Sequence, residues 1–78
     1  TVIAAPNETP AINPTGNPRL ACAGTGDVLA GLVGAAMARG LAARPAAHLA
    51  VFQHGLAADR WRENKTFSAE ALAQAVRL

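Results

Sequence analysis

The sequence predicts a small α/β arrangement, a short β-hairpin followed by about three helices. Three observations carry this. An apolar, β-branched run at Val2–Ala5 is followed by turn residues and a return through Ala11-Ile12-Asn13. A long uncharged stretch, Val28 to Ala38, opens behind Gly24-Thr25-Gly26-Asp27. Two further helical patterns begin at Pro45 and Ser68.

In chain order, Val2 to Ala5 suits a buried strand, and Pro6-Asn7-Glu8-Thr9-Pro10 supplies residues with fixed or left-handed backbone preferences for the turn. The run Pro14-Thr15-Gly16-Asn17-Pro18 opposes any regular element, because each proline fixes φ and removes a donor. Arg19 to Ala23 suits a helical turn. Asp27 then opens the first long helix, in which Leu29, Val33 and Ala36 share one face. The other side, with Ala30, Gly31, Gly34 and Ala38, is small and uncharged, so burial all round is expected. Gly31 and Gly34 each cost roughly 1 kcal/mol against alanine, which implies a close neighbour that needs their size. Arg39 and Gly40 form a C-terminal cap. Pro45 fits the first position of a second helix reaching about Glu63, with Ala47, Ala50, Val51, His54, Ala57, Ala58 and Trp61 inward. Ser68 caps a third helix through Val76, and Glu70 favours its first turn.

Composition narrows the function. A chain of 78 residues makes at most one small domain and hides only about 60% of the surface it exposes when unfolded. With 51% hydrophobic and 15% charged residues it reads as the interior of something larger. The opening on Thr1 without an initiator methionine points the same way, to a piece of a longer protein. The net charge of +2 comes from scattered cations without interleaved aromatics, which argues against nucleic-acid binding. Cys22 is the only cysteine, so no internal disulfide forms, and no Cys/His cluster suggests a metal site. Arg39, Gly40 and Arg44-Pro45 interrupt the alanine-rich stretches before membrane length, so no membrane association is expected, and a reducing cytoplasm fits best.

The chemistry centres on Gly24, Thr25, Gly26 and Asp27. Glycines at a helix start leave main-chain N–H groups unshielded, and the helix dipole adds positive potential there, so phosphate would be stabilised. Asp27 has two readings: a helix cap, or a carboxylate that takes a proton from an attacking hydroxyl beside bound phosphates. The spacing is neither that of a P-loop, which needs Lys and Ser/Thr after its last glycine, nor that of a dinucleotide fingerprint.

The whole stretch Asn13-Pro14-Thr15-Gly16-Asn17-Pro18-Arg19-Leu20-Ala21-Cys22-Ala23-Gly24-Thr25-Gly26-Asp27-Val28-Leu29-Ala30-Gly31 resembles the signature of the NAD(P)H-hydrate dehydratases, carbohydrate-kinase-like members of the ribokinase-like superfamily. The resemblance continues through Gly34 and Ala38-Arg39-Gly40 to His54-Gly55-Leu56-Ala57-Ala58-Asp59 and Phe67-Ser68-Ala69-Glu70-Ala71-Leu72. It departs at Cys22-Ala23, where the family usually shows a second glycine. The resemblance implies that residues 1–78 are the C-terminal part of a single ribokinase-like three-layer domain whose upstream portion is absent. It implies dehydration of the S epimer of hydrated NADH or NADPH with ADP or ATP, through phosphorylation and elimination, with Mg2+ as cofactor and a homo-oligomeric assembly. Carried over, Gly24, Thr25 and Gly26 would meet the nucleotide phosphate, and Asp27 would contact the hydrate and act as base. Asn17 would also contact the hydrate, and Thr1 would end a nucleotide loop. The isolated piece, holding half a site, would be inactive.

Other readings rank lower. His48 and His54, six apart, fall on different helix faces and cannot chelate one metal. His54 reads as a packed core histidine, Cys22 as a buried small residue and Trp61 as core on a helical stripe. The alternatives are a ribokinase-like kinase for a sugar or vitamin precursor, against which the Thr15-Gly16-Asn17-Pro18 segment argues, and a non-catalytic helical interaction module, which would need no anion site.

Overall fold

A computed structural model describes all 78 residues. Two short strands, β1 (Val2–Ile3) and β2 (Ala11–Ile12), pair antiparallel with Val2 opposite Ile12 and Ile3 opposite Ala11. The turn between them places Asn7 at φ 62°, a conformation asparagine tolerates. An ion pair of 2.8 Å between Arg44 and Glu8 ties this turn to the second long helix. The Pro-rich loop ends in a 3-10 turn, Pro18–Ala21, capped by Asn17, whose side-chain oxygen accepts from the Arg19 N–H.

Three helices follow: α1 (Thr25–Ala38), α2 (Ala43–Asp59) and α3 (Ala69–Ala75). Helix α1 begins two residues before Asp27, because Gly24 turns into a left-handed conformation at φ 90°. It ends as expected: Gly40 at φ 102° donates to the Met37 carbonyl at 2.9 Å and Leu41 N–H to Ala36 at 3.3 Å, a Schellman arrangement. Helix α2 starts earlier and stops earlier than the sequence suggests. Pro45 is its third residue, where a missing N–H still costs nothing, since the first four have no acceptor inside the helix. The chain leaves α2 at Arg60, so Trp61 does not lie on a helical stripe. It is nevertheless core: it is buried with Leu72 and Val76, meets Phe67 edge-on at 4.9 Å, and its Nε1–H donates to the Lys65 carbonyl at 3.0 Å.

The second part of the core is a seam of small residues, Ala36 of α1 against a face of α2 carrying Ala46, Ala50, Val51 and Ala58. Alanine at these places lets the two helices approach closely. The expectation that α1 is buried all round fails within these residues: only Thr25 and Ala36 are buried, and Ala30, Gly31, Gly34 and Ala38 are exposed. The physical reason is that α1 has only α2 and α3 as partners here, while its composition suits a helix covered on every side. The hairpin likewise presents apolar surface, with Val2 63% and Ile12 80% exposed. Cys22, expected to be buried, is exposed on the turn leading into α1. No helix is long and apolar enough to cross a membrane.

Candidate anion site at the start of α1

The site is built on one backbone event. Gly24 adopts φ 90°, and a Cβ there would meet the Ala69 methyl at 3.0 Å, so both conformation and space call for glycine. Behind it the N–H groups of Gly24, Gly26 and Asp27 donate to no atom of the chain, and that of Thr25 reaches the Cys22 carbonyl only at 3.4 Å. A Cβ at Gly26 would meet nothing within 4 Å, so the approach to these amides is open. Exposed, unpaired donors at the positive end of a helix dipole attract an anion.

Asp27 sits in the first turn of α1 and is exposed. It does not cap the helix, because the capping position belongs to Gly24 and no side chain bonds there. Its carboxylate takes part in no hydrogen bond or ion pair within the chain, which leaves both oxygens free to meet a ligand.

Thr25 points the other way. Its hydroxyl is buried and donates to the Leu20 carbonyl at 2.6 Å, with the Cys22 carbonyl at 3.1 Å. Thr25 therefore clamps the loop to the 3-10 turn, and what it can offer an anion is main chain. Asn17 is similarly engaged: its Oδ1 accepts from Arg19 N–H at 2.9 Å and its Nδ2 donates to Asp59 Oδ1 at 3.1 Å. One Nδ2 hydrogen is left over. Thr1 lies outside this group. Its carbonyl accepts from the Asn13 N–H at 2.9 Å, and no hydrogen bond joins it to Gly24–Asp27.

Three residues of α2 organise both loops. His54 is buried with Nε2 2.9 Å from the Thr25 carbonyl. Gly55 lies against the loop so closely that a Cβ would fall 2.3 Å from Thr15 Oγ1 and 2.8 Å from Gly16 N. Asp59 Oδ2 accepts from the Gly16 N–H at 3.0 Å. The Thr15 hydroxyl completes the join by donating to the Phe52 carbonyl at 2.9 Å. Sequence reasoning placed His54 in the core but gave it no partner and did not see what Gly55 and Asp59 hold. The available signal was a glycine inside a helix, where it costs stability, with aspartate four residues on along the same face.

A glycine-turned helix start with unpaired amides and a free carboxylate marks the chain as an α/β segment with open main-chain donors at the head of its first long helix. More particularly, the chain belongs to the NAD(P)H-hydrate dehydratase family, whose sequence profile it matches over residues 1–77. It is 49% identical over 59 residues to the "Bifunctional NAD(P)H-hydrate repair enzyme Nnr" of Moorella thermoacetica, covering 76% of this chain and 11% of that protein. The enzyme of the same name from Thermofilum pendens gives the same identity and coverage, 49%, 76% and 11%. It is 40% identical over 73 residues to the "ADP-dependent (S)-NAD(P)H-hydrate dehydratase" of Neisseria meningitidis serogroup B, covering 94% of this chain and 25% of that one. The chain thus spans from about a tenth to a quarter of these relatives. No solved structure gives a significant match.

Proposed function

We propose that the protein to which these residues belong dehydrates the S epimer of hydrated NADH or NADPH, using ADP or ATP, and so returns the damaged cofactor to use. The observation that carries this is the set of unpaired N–H groups at Gly24, Gly26 and Asp27 beside the free Asp27 carboxylate, in a chain of this family. The name of the Neisseria relative supports ADP as the nucleotide.

In this reading the amides of Gly24 and Gly26 receive the nucleotide phosphate and stabilise charge on the phosphoryl group in transfer. Asp27 orients the hydroxyl of the hydrate and accepts its proton as that oxygen bonds to phosphorus and the shorter nucleotide leaves. Breaking the C–O bond to the new phosphate releases inorganic phosphate, and loss of a proton from the adjacent ring carbon to solvent then restores the double bond. Thr25 supports the loop from behind, and the spare Nδ2 hydrogen of Asn17 is offered to the hydrate. Thr1 would close a nucleotide loop begun outside these residues. Residues 1–78 are read as the C-terminal part of one ribokinase-like three-layer domain, a reading supported by the family match and by the exposed apolar faces of α1 and the hairpin, which the other parts would cover. On its own the segment is inactive.

No group of three or more His, Cys, Asp or Glu side chains gathers in the chain to hold a metal. The single carboxylate at the site, Asp27, suits Mg2+ carried mainly by nucleotide phosphates and water. Bound there, the ion would neutralise phosphate charge.

The test is an assay of the full-length parent with hydrated NADH and either nucleotide, following the absorbance of regenerated NADH. Asp27→Asn should lower kcat by at least about a hundredfold, within the usual range for loss of a general base. Phosphorylation of another alcohol, with the hydrate untouched, would instead make the parent a small-molecule kinase.

A further inference from the structure

We propose that His54 is a positioning residue that aims the Gly26 N–H into the anion site. This rests on the reading of Gly24–Asp27 as a nucleotide-phosphate site. A carbonyl oxygen can only accept, so the 2.9 Å contact between His54 Nε2 and the Thr25 oxygen assigns the hydrogen to Nε2. That carbonyl belongs to the same peptide unit as the Gly26 N–H. The chain has no cis peptide bond, and a planar trans peptide directs its C=O and its N–H to opposite sides. Holding the oxygen toward α2 therefore turns the Gly26 N–H away from α2, where it has no partner in the chain.

The Thr25 carbonyl also belongs to the first turn of α1, so His54 adds a side-chain hold from α2 to a peptide at the frayed end of the helix ladder. Gly26 has no side chain, and nothing outside its own stretch of helix lies within 4 Å of where its Cβ would be, so no packing from another element braces the unit there. The Thr25 hydroxyl anchors the near side through the Leu20 carbonyl, and His54 braces the following peptide from α2. His54 is itself buried and its helix is held against the loop at Gly55 and Asp59, so the donor is rigid. Hydrogen bonds that pre-set a donor act on ligand affinity by removing the need to reorganise it on binding.

The experiment uses the full-length parent and compares the wild type with His54→Leu, which lacks the donor, and His54→Gln, whose amide N–H stands near the place of Nε2. Titration calorimetry with ADP is the first readout. His54→Leu should weaken ADP binding about five- to tenfold, the usual worth of one hydrogen bond, and His54→Gln should restore it to within about twofold. The pH profile of kcat should keep its wild-type shape in both, because Asp27 is untouched. ADP binding unchanged in His54→Leu, equal loss in both variants, or an altered profile would overturn the proposal. Should His54→Leu not fold, nitrogen-resolved NMR of the wild-type imidazole decides: a hydrogen on Nε2 supports the assignment and a bare Nε2 sinks it. A wild type that binds ADP without regenerating NADH would defeat the dehydratase reading alone and leave the His54 comparison intact.

Discussion

At Gly55 a single hydrogen atom decides whether the Thr15–Asn17 loop can rest on α2. Replacing it with a methyl group would drive carbon to 2.3 Å from Thr15 Oγ1 and 2.7 Å from the Thr15 carbonyl carbon, and the latter is backbone with little room to give. Gly55→Ala should destabilise the parent by about 1–3 kcal/mol, the range for overpacking. Thermal denaturation gives the loss, and an unchanged melting temperature would mean the loop does not lie where the structure has it. Asp59 tests the same join from the polar side. With both oxygens occupied by the Gly16 N–H and Asn17 Nδ2, Asp59→Ala should free the Thr15–Asn17 loop. Faster hydrogen exchange at Gly16, read by NMR or mass spectrometry, is the expected sign.

Helix α1 contains two glycines that no contact in these residues explains. A Cβ at Gly31 or Gly34 would meet nothing within 4 Å. Gly31→Ala and Gly34→Ala should therefore each stabilise the 78-residue chain by roughly 1 kcal/mol of helix propensity. In the full-length parent the same changes should destabilise, because a helix this apolar on its exposed side is built for a close neighbour. Helicity measured by circular dichroism for the one, and melting for the other, would separate these effects; stabilisation in both would remove the case for a neighbour. Helix α3 has only seven residues and depends on its ends. The Ser68 hydroxyl accepts the Ala71 N–H at 3.1 Å, so Ser68→Ala should cost about 1 kcal/mol.

For the molecule as a whole, the decisive fact is how little is covered. Only 11 of the 78 residues are buried, and the sole large side chain wholly hidden is Leu72. The isolated chain should melt without a sharp transition in calorimetry, since so small a buried set cannot offset the entropy of ordering the backbone. A cooperative melt would show the segment to be an autonomous domain. Residues 1–77 match the family profile, and the relatives are several times longer, which agrees with a segment designed to be covered.

The amino-acid order alone was enough for what is local. The hairpin turn, the cap at Gly40, the Ser68 start of α3 and the glycine-rich opening of α1 are all written in residues whose φ preferences or side-chain acceptors act within a few positions. The motif Thr15-Gly16-Asn17-Pro18 followed by Gly24-Thr25-Gly26-Asp27 likewise pointed to the family. What needed the tertiary structure was everything that depends on who faces whom. Thr25 turns its hydroxyl back to Leu20, Trp61 leaves the helix to join Leu72, Cys22 stays in solvent, and His54 finds the Thr25 carbonyl 29 residues earlier in the chain. Periodicity tells which residues share a face of a helix, but the partner of that face is chosen by the packing of α1 against α2, and only that packing brings His54 to the peptide it holds.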